Sequence, residues 1–227
     1  MNPLSIIIPV LNEAELLQRH LPSLQPLRST GHQLIVVDGG SHDDSLRIAA
    51  RQADMAVQTE SGRAGQMNHG AGWADGEVLL FLHIDSVLPP GADQLILNAL
   101  GDPDRVWGRF DVTFDAPGRV YRSIAALMNW RSRVTGVATG DQGIFVRTEV
   151  FRRNGGYADI PLMEDVELSK RLRRLSPPVC VRVPVTVSAR RWQQHGLVKT
   201  VLLMWWLRLL YFLRIPPRFL VDRYYGS

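Results

Sequence analysis

The stretch LLFLHIDSVLPP, residues 79–90, decides the fold. Leu79 to Leu82 are apolar without alternation, the pattern of a strand covered on both faces. The chain then presents His83, passes Ile84 and presents Asp85 before Val87, Leu88 and two prolines end the run. Positions i and i+2 of a strand share a face, so an imidazole and a carboxylate are expected to leave the core together. Taken alone, the pair has two readings. It is a cation or ligand site, or Asp85 caps a following helix and His83 bonds to backbone.

Outward from this strand, the first hundred residues alternate short β-branched runs with amphipathic segments. LSIIIPV (4–10), QLIVVDGG (33–40), MAVQTE (55–60) and EVLLFLHID (77–85) are expected strands. EAELLQRHLPSL, a segment over roughly 43–52 and AGQMNHGAGWA (64–74) are expected helices between them. Such repetition with continuous apolar strands predicts a parallel, Rossmann-like α/β sheet. Ligands of such sheets sit at the carboxyl ends of the strands. Polar residues fall there four times: Asn12 and Glu13, then Asp38, then Glu60 to Arg63, then His83 and Asp85. That edge is the expected site.

The second half predicts a strand over 106–114 and a helix near 119–134. A strand and helix follow over 142–156, then a helix over 163–175 and a strand over 179–188, with Pro184 marking an edge or a break. No low-complexity linker divides the chain. One domain is expected over 1–192, with a regular first half to about residue 100 and an elaborated second half beyond it. Residues 193–227 form a hydrophobic C-terminal segment. Within it, LVKTVLLMWWLRLLYFL (197–213) is interrupted by Lys199 and Arg208, so no charge-free run reaches the ~18 residues of a membrane span. On a helical wheel Val198, Val201, Leu202, Trp205, Leu209, Phe212 and Leu213 share an arc. That arc covers the domain, a dimer partner or a membrane surface, with Trp205 and Trp206 as interfacial anchors.

Composition sets outer limits. The 227 residues are 45% hydrophobic and 21% charged, a globular balance. The single cysteine, Cys180, excludes an intramolecular disulfide and any multi-cysteine zinc site. A net charge of +4 fits anionic partners such as phosphates, nucleic acid or anionic lipid. The N-terminus has no basic segment ahead of Pro9, so a cytoplasmic protein is expected.

The polar strand ends suit chemistry on phosphates. A hard cation at Asp85 and His83 could hold a diphosphate. Asp38 could accept from a nucleobase or ribose, with Gly39 and Gly40 letting the ligand approach the backbone. The common alternative is a turn-forming Asp-Gly pair. Arg63 at a helix start suits phosphate. Glu164 and Asp165 open another helix as either dipole partners or a general base. Arg190, Arg191 and Trp192 suit a diphosphate leaving group or a salt-bridged surface.

Six stretches then carry a resemblance: SIIIPVLNE, LIVVDGGSHDDS, SGRAGQMNHGAGWADGEVLLFLHIDSVLP, GDQGIFVRTEVFRRNGGY, LMEDVELSKRLRR and SARRW. Ordered across about residues 4–192, they resemble the family 2 glycosyltransferases of GT-A fold. Specifically, they resemble the small bacterial group called selenodomain-associated transferase 2. The resemblance implies an α/β fold with a mostly parallel central sheet, flanking helices and a C-terminal helical extension. It implies that Pro9, Leu11, Glu13 and Asp38 line a nucleotide pocket, joined by Gly39, Arg63, Gln66, His83 and Ile84. His83-Ile84-Asp85 falls where the family has Asp-x-Asp, so Asp85 is the implied ligand of Mn2+ or Mg2+, with His83 a departure at the first position. Asp165 matches the general base and Glu164 its neighbour. Gly140, Asp141 and Gln142 fall on the acceptor side, with Arg190, Arg191 and Trp192 on the acceptor or diphosphate side. Ala189 leads Arg190-Arg191-Trp192, so the Gln-x-x-Arg-Trp of processive members is incomplete.

The expected function is therefore inverting, metal-dependent sugar transfer from a UDP- or GDP-type donor to a hydroxyl acceptor, with a lipid-linked acceptor among the options. No nucleic acid is expected, and the location is cytoplasmic or peripheral at the inner face of the membrane. The rivals are a nucleotidyltransferase and a non-catalytic sugar-nucleotide-binding scaffold. The acidic PVLNEAE after the first strand, in place of a glycine-rich basic loop, argues against the former.

Overall fold

The computed structural model describes residues 3–190, 193, 196–213 and 215. Of the expected site residues, Arg191 and Trp192 lie outside the described residues. Strands β1 (Leu4–Val10), β2 (Gln33–Asp38), β3 (Met55–Gln58) and β4 (Val78–Phe81) run parallel in the order β3-β2-β1-β4. Helices α1 (Ala14–Ser29), α2 (Ser45–Gln52) and α3 (Arg63–Gly72) connect them. The chain steps outward from β1 to β3 and then returns across β1 to β4. The order reverses there, which leaves a crevice at the carboxyl ends of β1 and β4.

Two-sided burial explains the continuous apolar runs. Ile6 and Ile8 of β1 enter one core cluster while Ile7 enters the other, and Leu80 is divided from Leu79 and Phe81 in the same way.

Beyond β4 the parallel pattern gives way. The chain continues through β5 (Ser86–Val87), α4 (Ala92–Ala99), β6 (Trp107–Phe114), α5 (Arg119–Thr135), β7 (Ile144–Arg147), α6 (Thr148–Arg153), α7 (Glu164–Leu172), β8 (Val179–Val187) and α8 (Leu197–Phe212). The sheet order is β3-β2-β1-β4-β7-β6-β8-β5. β7 lies antiparallel to β4 with Ile144 opposite Phe81, and β6 is antiparallel to β7 but parallel to β8. β5 closes antiparallel on the end of β8, with Ser86 opposite Val187.

One local expectation changes. The fourth strand ends at Phe81, not at Asp85. Leu82 N–H still donates to the Ile7 carbonyl, but Ile84 is drawn into the core and a turn follows, closed by Ser86 N–H on the His83 carbonyl at 3.0 Å. Pro184 marks an irregularity in β8. The pairing with β6 slips between Phe110 and Asp111, so that Val181 faces Phe110 and Pro184 faces Asp111.

Helix α5 turns Ala125, Asn129 and Ser132 inward while Val120, Leu127, Trp130 and Val134 are exposed. Behind it Asn129 holds both backbone groups of Val112, accepting from N–H at 2.9 Å and donating to the carbonyl at 3.0 Å. Arg109, fully buried, pairs with Asp111, which also pairs with Arg133.

Helix α8 packs Leu207 and Leu210 on Val137, Leu162, Met163 and Val166 in a third apolar cluster. The packed arc is thus not the expected one: Trp205, Leu209, Phe212 and Leu213 point outward. A helix apolar on nearly every side carries no periodic signal to choose its buried face. Among the described residues, no helix is long and apolar enough to cross a membrane.

Asn129→Leu keeps the volume but strands two buried backbone groups. Urea unfolding should show a loss of about 2–4 kcal/mol. An unchanged midpoint would mean that Asn129 does not hold α5 to β6.

Candidate active site

The crevice is built from four chain segments. At the carboxyl ends of β1 and β2 hydrogen bonds fix the loops. Asp38 is fully buried, and its carboxylate accepts from Gly40 N–H at 3.1 Å, from Ser41 N–H at 2.9 Å and from the Ser41 hydroxyl. Ser41 Oγ in turn accepts from Asn12 N–H at 2.7 Å, and Ser45 Oγ from Glu13 N–H at 2.9 Å. Asp38 therefore shapes the loop that faces the crevice, with its own oxygens engaged inside it. Gln66, from α3, donates Nε2 to the carbonyls of Val10 and Val37 at 2.8 and 2.9 Å, tying the two strand ends together. Its amide lies against Gly39, where a Cβ would come within 3.1 Å. Pro9 is half-buried and Leu11 exposed at the rim.

His83 and Asp85 leave β4 in a turn, so the expected shared strand face is absent. His83 Nδ1 lies 3.4 Å from Asp141 Oδ1, and its Nε2 sits over Gly140, where a Cβ would come within 2.6 Å. A side chain at 140 would displace the His83 ring. Ile84 is buried between the two polar residues. The half-buried Asp85 carboxylate makes no hydrogen bond or ion pair among the described residues, and its charge is felt by Glu13 and His20. It lines a cavity of about 700 Å3 that also contains Arg190 and Ser188. Arg190 reaches Glu13 at 3.9 Å.

Among the described residues no three His, Cys, Asp or Glu side chains converge as a metal cage. A single uncommitted carboxylate fits a different arrangement, in which a hard cation takes one protein ligand and completes its shell from phosphates and water.

The third and fourth segments meet at α7. Glu164 and Asp165 open this helix after Met163, whose φ of 68° is left-handed. That conformation is strained for a methionine. Asp165 accepts from Gly140 N–H at 2.8 Å through Oδ2 and from Val166 N–H at 2.7 Å through Oδ1. The short helical turn Gly140–Gln142 is tied to Thr139, whose N–H donates to Gln142 Oε1 at 3.2 Å and whose carbonyl accepts from Gln142 N–H at 2.8 Å, and Gln142 is fully buried inside it. Asn68 of α3 brackets Tyr157, donating to its carbonyl and accepting from its N–H, both at 2.8 Å, which anchors the approach to α7.

Charge in the crevice is unevenly settled. Burial, reinforced by the Asp165 charge and opposed by Arg63, raises the Glu164 carboxyl above its usual range. Glu13 is raised by burial and by Asp85 and Asp43, against Arg190 and Arg63. Burial pushes Asp141 the other way from its net shift. Its bond to His83 and the charges of His83, Arg63 and Arg208 outweigh that and hold it low. Arg63, placed by α3 at the mouth, thus acts on Glu13, Asp141 and Glu164 together. Arg131 and Arg208, whose charges reach Asp165 and Asp141, are part of this surround. No sequence motif singles them out, because only the packing of α5 and α8 brings them to the site.

Comparison with known proteins places this geometry. Residues 5–154 match the family model for glycosyl transferase family 2. A 147-residue stretch is 31% identical to an uncharacterized glycosyltransferase, YibD, of Escherichia coli K12, covering 61% of this chain and 42% of that one. The chain spans between a third and two thirds of the first curated relatives it matches, from 34% to 66%. Among solved structures, S. aureus TarS 1-349 superposes with a TM-score of 0.67 at 17% identity, over 82% of this chain and 60% of that one. The mannosyltransferase PcManGT of Pyrobaculum calidifontis, in complex with GDP-Man and Mn2+, gives 0.60 at 20% identity over 82% and 56%. TarS has also been solved with UDP-GlcNAc.

The Glu164 shift has a pH signature. A carboxyl whose folded value lies above its ordinary 4.5 favours folding only while protonated. The contribution is present below the unfolded value and is lost as pH rises through the folded one. Glu164→Gln should therefore raise Tm at neutral pH and match the wild type in acid. A Tm difference that stays constant across the titration would show that Glu164 is not desolvated.

Proposed function

The chain belongs to glycosyltransferase family 2, with the GT-A fold, and from that premise we propose that it moves a sugar from a nucleotide-diphosphate sugar to an acceptor hydroxyl with inversion. One observation carries the reading. A carboxylate at the start of α7, Asp165, is fixed by Gly140 N–H beside His83 and Asp141, and Arg63 acts on both Asp141 and Glu13, the latter also feeling Asp85.

In this reading the loops after β1 and β2 bind the nucleoside, with Asp38 acting through the turn that it organises. UDP and GDP donors are both in range, given the nucleotide sugars bound to TarS and PcManGT. Asp85 would hold Mn2+ or Mg2+, which supplies charge neutralisation at the diphosphate. Arg63 and Arg190 add fixed positive charge there, where negative charge grows as the sugar departs. Asp165 removes the proton from the acceptor hydroxyl as its oxygen attacks the anomeric carbon opposite the leaving diphosphate. Held in one orientation by Gly140 N–H, the carboxylate contributes position as well as basicity. Burial, with the Asp165 charge beside it, raises the proton affinity of Glu164.

Calorimetry with UDP and GDP, with and without Mn2+, followed by donor hydrolysis, tests the reading. Binding should strengthen with Mn2+, and Asp85→Asn should remove that gain. Asp165→Asn should lower turnover by at least about 10³-fold while leaving nucleotide affinity within a factor of about two, as expected for loss of a general base. Wild-type turnover in that variant would refute the base assignment. Metal-independent binding in the wild type would refute the role of Asp85.

A further inference from the structure

Between α5 and α8 lies a cavity of about 350 Å3 whose walls are largely apolar. Ile124, Leu127, Trp130, Met204 and Trp205 form most of them, and Asp141 stands at the end nearest the crevice. Two arginines, Arg131 and Arg208, line the same space. Nε and Nη2 of Arg131 and Nε of Arg208 are buried with no hydrogen-bond partner. The donors that Arg131 does satisfy reach only the Val137 carbonyl, at 3.4 Å.

Two guanidinium groups that line one apolar pocket and feel each other's charge are costly unless an anion joins them. The nearby carboxylates do not fill that role, since Asp141 lies against His83 and Asp165 is held by Gly140 N–H. Desolvation, with the charge of Arg208, pulls Arg131 down to about 10, the sign of a cation short of a counter-charge.

We infer that this pocket binds the acceptor, an amphiphile whose head group carries both the hydroxyl that reacts and a phosphate that lies between Arg131 and Arg208, and whose apolar chain runs along Leu127, Trp130, Met204 and Trp205. This rests on the sugar-transfer reading. The head-group chemistry follows from the donors. Both guanidinium groups line the pocket with part of their donor capacity unused, and guanidinium forks are suited to phosphate oxygens. The chain follows from the walls and the exit. Leu127 is 43% exposed and Trp130 and Trp205 are each 60% exposed, so the apolar lining continues out onto the surface. A free inorganic phosphate would leave that lining unused. Acceptor rather than donor follows from position. Arg131 feels Asp165 and Arg208 acts on Asp141, so the arginines adjoin the candidate base and the turn that holds it.

The test is calorimetric titration of the full chain with octyl phosphate, octanol and inorganic phosphate, without nucleotide. Octyl phosphate should saturate one site at least tenfold more tightly than either half-molecule. Arg131→Gln and Arg208→Gln should each weaken it at least tenfold. Trp205→Ala, a change at an exposed position, should weaken octyl phosphate and leave inorganic phosphate unmoved. Unaltered UDP or GDP binding serves as the check that each variant is folded. Octyl phosphate binding no tighter than octanol, or insensitivity to both arginine changes, overturns the inference. Adsorption to phosphatidylglycerol vesicles without octyl phosphate binding also overturns it, because the surface is then a bilayer contact. Nucleotide binding that fails while octyl phosphate binds sinks the transfer reading and with it the acceptor role. The converse result sinks the pocket alone.

Discussion

The antiparallel pairing of β7 on β4 is the constraint on which the candidate site depends. Four parallel strands can bring polar loops to one edge, but those loops come only from the first hundred residues. Setting Ile144 opposite Phe81 makes the start of β7 coincide with the end of β4. The turn Gly140–Gln142 therefore arrives beside His83 without any long excursion. Gly140 then presents one face to the His83 ring and its N–H to Asp165. Had β7 run parallel, its preceding loop would lie at the opposite edge and α7 would have nothing to dock against. A second antiparallel pairing, β5 on the end of β8, repeats the device and brings residues 188–190 to Asp85.

Electrostatics follow from this convergence. Five carboxylates (Glu13, Asp85, Asp141, Glu164 and Asp165) are brought near one crevice, and their mutual repulsion has to be relieved locally. Each is relieved differently. Asp141 has His83, Asp165 has backbone N–H groups, and Glu13 has Arg190 at a distance. Glu164, more deeply buried, is left with a raised proton affinity, and Asp85 is left without a partner among the described residues. An anionic surround relieved unevenly is suited to a ligand that brings cations or that must be deprotonated, and Arg63 at the mouth limits the cost.

Much of this was legible in the sequence where the physical signal is local. Apolar runs without alternation identify β1, β2 and β4, and polar residues at their ends locate the edge. What the sequence could not show is where side chains turn after a strand stops. His83 and Asp85 appear two apart on a pleat, but Ile84 is needed by the core and the chain turns there, sending His83 to Asp141 and leaving Asp85 without a partner among the described residues. Asp38 looks like a ligand contact, yet its oxygens are taken by Gly40 and Ser41 two and three residues on. That is the turn chemistry of an aspartate, and the sequence weighs it only as an alternative. Helix α4 was missed, although Pro89 and Pro90 mark its entry and Ala92 and Ile96 stand one turn apart. In α8 the apolar residues surround the axis, so only the docking of Leu207 and Leu210 reveals which side is covered.

That docking makes α8 part of the site. Among the described residues Asn12 and Met163 are the only non-glycine positions with positive φ, and both border the crevice. Asparagine tolerates the left-handed region, and here its side chain accepts from His42 N–H at 2.9 Å, a local compensation. Methionine has no such device. Its strained backbone, of order 1–3 kcal/mol, is offset by packing, since Met163 is buried in the same cluster as Leu207 and Leu210. The strain sits immediately before Glu164 and Asp165, so the contacts of α8 fix the direction in which α7 presents its first carboxylates. The same helix supplies Arg208 and Trp205 to the adjoining pocket. Orientation of the candidate base and the shape of the neighbouring cavity are thus set by one packing contact, between α8 and the turn that begins α7.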